Sequence, residues 1–297
     1  MIPGLEARRF VTRDQTEIAY QIRGAGPAIV LANGLGGSFE AFRHVYAALG
    51  ERYTTVCWDY RGLYGSGPPR DPTAVDVADQ CGDIEQILEH EGIGRAVHVG
   101  WSMGVQVNFE LYRRRPDRIA GLVAINGTSG RPFQTAMSSR YVRHVVPILL
   151  RAARAQANLV GVATRTVVGW DGLITMMQRF GMVSPTLDVE AFRDVAAGFK
   201  TLDWRIYSDT MARLGRHDAT DVLSSVRVPT LVITGDKDVM TPPFTAERIH
   251  RSIVGSRLVV IRGGTHYTPV EYPAIIQEEL TSFLARVPGY AGDAAAA

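Results

Sequence analysis

Cysteine is almost missing from this chain of 297 residues, which holds only Cys57 and Cys81. Two cysteines exclude a disulfide framework, their spacing fits no metal site, and a cytoplasmic location is expected. Lysine is nearly as scarce, since Lys200 and Lys237 stand against thirty arginines. An excess of one charge is also lacking: 32 basic and 30 acidic residues leave +2, too little for a general nucleic-acid binder. No long apolar run is present. The longest stretch without a charged residue, Gly24 to Phe39, is broken by Pro27 and five glycines, so no transmembrane segment is expected. The first ten residues, Met-Ile-Pro-Gly-Leu-Glu-Ala-Arg-Arg-Phe, carry charge where an export signal needs its apolar core. With 46% hydrophobic and 21% charged residues, the remaining composition is that of a globular chain able to bury a large core.

From Phe10 to Arg23 a loose alternation crosses a polar turn at Arg13-Asp14-Gln15, predicting a strand pair at a sheet edge. Short apolar runs follow at 28–32, 54–58, 96–99 and 119–125, separated by helix-length segments at 38–50, 76–91 and 103–115. Strands apolar on both faces that alternate with helices predict a mostly parallel sheet covered on both sides. The alternation stops at Asn126 and resumes with a strand at 229–234, a helix at 244–253, a strand at 257–261 and a helix at 271–286. Residues 127–228 therefore form an insertion. It reads as helical near 137–156, 157–167, 172–180, 188–200 and 202–214, and its thirteen basic and eight acidic residues give it +5 against −3 for the rest. The expectation is an α/β core over 1–126 and 229–297 with a helical cap over 127–228.

Gly100-Trp101-Ser102-Met103-Gly104 follows an apolar strand and opens a helix. Two glycines permit a turn tight enough to lift the serine hydroxyl clear of the sheet, the nucleophile-elbow pattern. A serine hydroxyl needs an imidazole to take its proton and a carboxylate to orient that imidazole. Among seven histidines, His266 stands just past the last predicted strand, at the sheet edge where the elbow lies and where ligands of open α/β sheets gather. His98 lies inside the elbow strand and reads as core. His44, His90, His144, His217 and His250 fall on predicted helices or in the insertion. For the carboxylate, Gly235-Asp236-Lys237-Asp238 offers two aspartates: Asp236 beside Gly could cap the turn, whereas Asp238 stands nearer the sheet edge. Backbone N–H groups for an oxyanion would come from Met103, at a helix start, and from Leu35 within Asn33-Gly-Leu-Gly-Gly37.

Together these residues resemble the α/β-hydrolase fold superfamily, over about residues 10 to 287. Asp59-Tyr-Arg-Gly62 with Ser66 is similar to the family's Asp-x-Arg-Gly-x-Gly-x-Ser loop, Gly235–Asp238 with Pro242 to its acid loop, and His266, Glu271 and Pro273 to its histidine loop. The resemblance selects Asp238 over Asp236, and it implies an eight-stranded, mostly parallel sheet. Two positions depart from the pattern: Asn33 replaces the usual histidine of the oxyanion loop, and Tyr64 replaces a glycine. The serine at 102 excludes the haloalkane dehalogenase and epoxide hydrolase branches, which need a carboxylate at the elbow.

The resemblance implies a serine hydrolase of carboxylic esters that needs no cofactor or metal and takes a small acyl substrate. Thioesters, lactones, carbon–carbon bonds of β-diketone type and a peracid-forming side activity share the same machinery, and a ligand-binding receptor or scaffold is the reading outside catalysis. Candidate pocket residues are Trp101 and, in the insertion, Trp170, Met176, Met177, Phe180, Phe192, Phe199 and Trp204. A helix through 140–154 would gather Arg140, Arg143, His144, Arg151 and Arg154 within about 100° of arc. Val142, Val145, Val146, Leu149 and Leu150 lie opposite, with a possible kink at Pro147. The simple reading is a solvated basic face over a buried apolar one; the alternative is contact with an anionic substrate or a lipid surface.

Overall fold

The computed structural model describes residues 4–50, 52–168, 170 and 172–291. Eight strands form one sheet in the order β1-β2-β4-β3-β5-β6-β7-β8. They are β1 (Glu6–Val11), β2 (Glu17–Arg23), β3 (Ala28–Ala32), β4 (Thr54–Trp58), β5 (Ala96–Trp101), β6 (Ile119–Ile125), β7 (Thr230–Gly235) and β8 (Arg257–Ile261). The edge pair β1–β2 is antiparallel, as is β2–β4, and every later pairing is parallel. The expected eight-stranded, mostly parallel sheet is therefore found.

Helices α1 (Arg43–Leu49), α2 (Val77–His90) and α3 (Met103–Arg114) connect the first parallel strands. Between β6 and β7 come α4 (Pro132–Thr135), α5 (Val142–Ala155), α6 (Ala157–Val168), α7 (Gly172–Arg179), α8 (Val189–Gly198) and α9 (Trp204–Leu214). The chain closes with α10 (Pro243–Ser252), α11 (Thr268–Glu271) and α12 (Pro273–Leu284). Alternation along each strand divides the core into two layers. Val30 and Val56 pack with Ile84 of α2 and Val107 of α3 on one face, while Ile29, Leu31 and Val97 pack with Tyr46 of α1 and Leu280 of α12 on the other. Helix α5 runs through Pro147 without ending there, and the chain turns at Gln156, where α5 and α6 meet at 99°.

The loop after β4 is held by a buried ion pair. Arg61 donates from Nε to Asp83 Oδ2 of α2 at 2.8 Å and from Nη2 to Asp83 Oδ1, and its Nη1 reaches Asp14 Oδ2 at 2.9 Å. A charge left alone in such a place is costly, so Arg61→Met is expected to lower the stability to urea by about 3–5 kcal/mol. The double variant Arg61→Met/Asp83→Leu should recover much of that loss. A cost below about 1 kcal/mol for the single variant would remove this pair as a support of the loop.

Candidate active site

Strand β5 ends at Trp101 and α3 begins at Met103, so the chain reverses direction at Ser102, which adopts φ +56° and ψ −115°. A non-glycine residue rarely holds such a conformation, and here its neighbours enforce it. A Cβ on Gly100 would lie 2.5 Å from the Gly104 backbone, and one on Gly104 would lie 2.0 Å from the Ala32 carbonyl oxygen. Only glycine at both places lets α3 approach β3 closely enough to close the turn.

The hydroxyl lifted by this turn meets His266. His266 Nε2 lies 2.8 Å from Ser102 Oγ, and His266 Nδ1 lies 2.9 Å from Asp238 Oδ2. Four further donors converge on that carboxylate. The backbone amides of Met240 and Thr241 reach Oδ1 at 2.8 Å each, and Thr241 Oγ1 and Asn126 Nδ2 reach Oδ2 at 2.7 and 2.8 Å. Burial by itself would raise the Asp238 carboxyl, but the charge and hydrogen bond of His266, with the bonds from Thr241, outweigh it and hold the group below the ordinary value. Asp238 thus stays ionised. Asp236 points to the surface and accepts from the Gly263 amide at 2.7 Å, the turn-capping role that an aspartate beside glycine can fill.

Asn126, which the sequence left without a role, and Trp101 both position this array. Asn126 follows β6 at φ +45°, donates to Thr265 O at 3.0 Å as well as to Asp238, and accepts from the Thr268 hydroxyl. The only signal in the sequence was that the strand–helix alternation breaks there. Trp101, expected in the pocket, also donates from Nε1 to the backbone carbonyl of His266 at 2.8 Å. Glu271 completes the support of this loop, accepting from Thr265 N at 2.8 Å and from Ser184 N of the insertion at 2.7 Å. His98 is buried inside β5, and burial lowers its pKa to about 3, so it remains neutral.

The loop 33–37 runs beside the elbow, with the Gly34 Cβ position 3.1 Å from Ser102 Cβ. Asn33, in place of the usual histidine, ties the loop down by donating to Cys57 Sγ at 3.1 Å, and its carbonyl accepts from Tyr60 Oη at 2.5 Å. Among the described residues, neither Leu35 N–H nor Met103 N–H is spent on a protein acceptor. Tyr64 does not border the cavity. It packs under the insertion, its ring 2.5 Å from the place a Cβ on Gly198 would take.

Ser102 and His266 open into a cavity of about 490 Å³ between the sheet edge and the inserted helices. No Asp, Glu, Lys or Arg side chain lines it: Leu35 and Trp101 form the floor, Phe133, Val142, Val146, Leu149 and Leu150 come from α4 and α5, and Phe192, Phe199, Tyr207 and Met211 from the later part of the insertion. Burial raises the Tyr207 phenol and raises that of Tyr267 to about 12, so both wall hydroxyls are neutral.

Of the expected pocket residues, Trp101, Phe192 and Phe199 line the cavity, and Trp170, Met176, Met177, Phe180 and Trp204 do not. Phe180 is 74% exposed, Met176 is exposed, and Trp170 borders a separate surface hollow with Leu173 and Lys200. Trp204 packs behind the wall, its ring centroid 5.0 Å from that of Tyr207. Large size is a poor guide because a cavity wall takes whichever side chains the helix presents inward. The usable signal was the apolar side of α5, opposite its arginines, which supplies four wall residues.

A family model described as the alpha/beta hydrolase fold matches residues 27–273. The chain belongs to the α/β hydrolase family. This hydrolase is 26% identical over 261 residues to the putative carbamate hydrolase RutD of Escherichia coli, covering 87% of this chain and 88% of RutD. Its fold is shared by the enol-lactonase of Burkholderia xenovorans (TM-score 0.75, 23% identity, covering 94% of this chain and 100% of the other). It is shared equally by an esterase from Exiguobacterium antarcticum (TM-score 0.77, 20% identity, covering 94% and 99%).

Proposed function

We propose that this hydrolase cleaves carboxylic esters with an uncharged, apolar acyl group through an acyl-enzyme on Ser102. The observation that carries the reading is the relay Ser102–His266–Asp238, with contacts of 2.8 and 2.9 Å, opening into an apolar cavity. Ser102 Oγ attacks the carbonyl carbon while His266 Nε2 takes its proton. The oxyanion forms near the amides of Leu35 and Met103, and the amino end of α3 adds its partial positive charge. His266 then protonates the departing alcohol, and water, activated by the same imidazole, releases the acid. Asp238, held ionised, keeps the Nδ1–H tautomer and stabilises the imidazolium. The helices 127–228 act as the cap that sets acyl length.

Burying a methylene contributes about 0.8 kcal/mol, close to fourfold in kcat/KM. Along p-nitrophenyl esters from acetate to palmitate, kcat/KM should climb by about threefold to fourfold per methylene until the chain outgrows the cavity, then fall. A flat series, or one highest at acetate, would sink the acyl-pocket assignment. Thioesters, lactones, carbamates and β-diketones run beside the esters test the other chemistries. Turnover at background on every substrate would favour a binding role.

A further inference from the structure

The apolar side of α5 is not buried, contrary to the simple sequence reading. No residue of this helix is fully buried, although one side is apolar and the other basic. Val142, Val146 and Leu150 face the cavity half-buried, but Tyr141, Val145 and Ile148 form a neighbouring row at i, i+4 and i+7 that stands in solvent, Ile148 at 59% exposure. Helix α6 extends the surface with Leu159 (66% exposed), Val162 and Val167. Exposed apolar side chains gathered on two successive helices call for a partner.

The charges around the row say which kind. Between Asp117 and Asp171 the chain has seven arginines and no acidic residue. Arg154 pairs with Asp209 at 2.7 Å. Among the described residues Arg140, Arg143 and Arg151 have no carboxylate partner: Arg140 lies over the Tyr141 ring at 5.1 Å, Arg143 Nε contacts His144 Nε2 at 3.0 Å, and Arg151 Nε donates to Pro147 O at 3.2 Å. Unpaired arginines occur elsewhere on the surface as well; what distinguishes these three is that they stand on α5 or in the turn before it, within a stretch that holds no acidic residue. An exposed apolar row with an arginine stripe on one flank and a tyrosine at its end is the pattern of a helix lying in an anionic lipid interface.

The row is continuous with the cavity. Met137, Leu149 and Met240 are both exposed and part of the cavity wall, so a surface that covers the row also covers the mouth. With 14 and 12 residues, α5 and α6 are each too short to cross a bilayer, and their 99° bend prevents them from doing so as one rod. A second copy of the chain fits less well. A two-fold contact across this face would bring the unpaired arginines together with no carboxylate to meet them.

We infer that α5 and α6, with Met137 and Met240 at the cavity mouth, form a docking surface for anionic lipid bilayers. Apolar side chains enter the headgroup layer, the arginines meet lipid phosphates, and the cavity opens onto the membrane. The inference goes beyond the ester reading and stands without it, because binding is measured in the absence of turnover.

The test is flotation of the full chain with vesicles of phosphatidylcholine alone and with about 30% phosphatidylglycerol. Wild type should bind the anionic vesicles, and raising NaCl from about 0.05 M to about 0.5 M should weaken that binding. Arg140→Gln/Arg143→Gln/Arg151→Gln should bind the anionic vesicles about a hundredfold less. Val145→Ser/Ile148→Ser should bind about tenfold less, and neither variant touches the cavity wall. Both variants should keep the wild-type circular dichroism spectrum and melting temperature, which shows that lost binding is not lost folding. Binding unaffected by both variants, or no anionic binding by wild type at low salt, overturns the proposal. So does a wild-type dimer in sedimentation that Val145→Ser/Ile148→Ser dissociates without any vesicle binding, which would make this face a contact between copies.

Discussion

Ser102→Ala should reduce kcat on p-nitrophenyl esters by on the order of 10⁵–10⁶-fold. The size follows from what the substitution removes. Among the described residues the only oxygen within hydrogen-bond reach of His266 Nε2 is Ser102 Oγ at 2.8 Å, so the variant has no group to receive the acyl unit. It keeps the cavity, the ionised Asp238 and the free amides at Leu35 and Met103, so substrate binding and a small residual turnover by water should persist. Alanine tolerates the elbow no worse than serine, because φ +56° is imposed by the Gly100–Gly104 contact and the approach of Gly104 to Ala32. The melting temperature should therefore stay within a few degrees of wild type, and KM should change little. A loss smaller than about a hundredfold, in a folded variant, would remove Ser102 from the role of nucleophile.

Asp238→Asn should cost about 10⁴-fold in kcat. The carboxylate accepts two backbone amides at one oxygen and Asn126, Thr241 and His266 at the other. A carboxamide has only one oxygen, so its NH₂ must face donors on one side or the other. With the oxygen turned to the two amides, the NH₂ faces His266 Nδ1 and favours the Nε2–H tautomer, which cannot take the Ser102 proton. With the oxygen turned to His266, two backbone N–H groups confront the NH₂, which destabilises the acid loop by about 1–3 kcal/mol. The two measurements separate these cases: kcat against ester with KM near wild type reads the first, and urea unfolding reads the second. Asp236→Asn should be within a few-fold of wild type, since Asp236 is exposed and only caps the turn to Gly263. If Asp236→Asn were the damaging substitution, the carboxylate would have been misassigned.

Element identity and the candidate site were largely legible in the sequence. The edge hairpin, the parallel strands and the helices at 77–90, 103–114 and 157–168 lie within a few residues of where periodicity and Gly or Pro punctuation put them. Ser102, His266 and Asp238 come together because each sits in a loop at the same end of a parallel sheet, and chain order with strand direction already implies that edge. Choosing between Asp236 and Asp238 was different. Periodicity ends with the strand, and which side chain of a four-residue turn points inward depends on the turn's own backbone. Asn126 was invisible for a similar reason, since a lone polar residue after a strand has no pattern, and its value arises only when Asp238, Thr265 and Thr268 arrive from distant segments.

The insertion marks the boundary most sharply. The sequence by itself determined that helices cover 127–228 and that one helix carries arginines opposite apolar residues, because those are properties of spacing along a single element. Only the tertiary structure decided where that apolar side faces. Amphipathicity states that a helix has an apolar side, not what it meets. Here α5 packs against α9, so that Val142, Val146 and Leu150 turn to the cavity while Val145 and Ile148 remain in water. The same packing leaves Trp170 and Phe180 outside and brings Phe133 and Tyr207 in. Cavity walls and exposed faces are set by contacts between elements far apart in the chain, and no periodicity within one element encodes them.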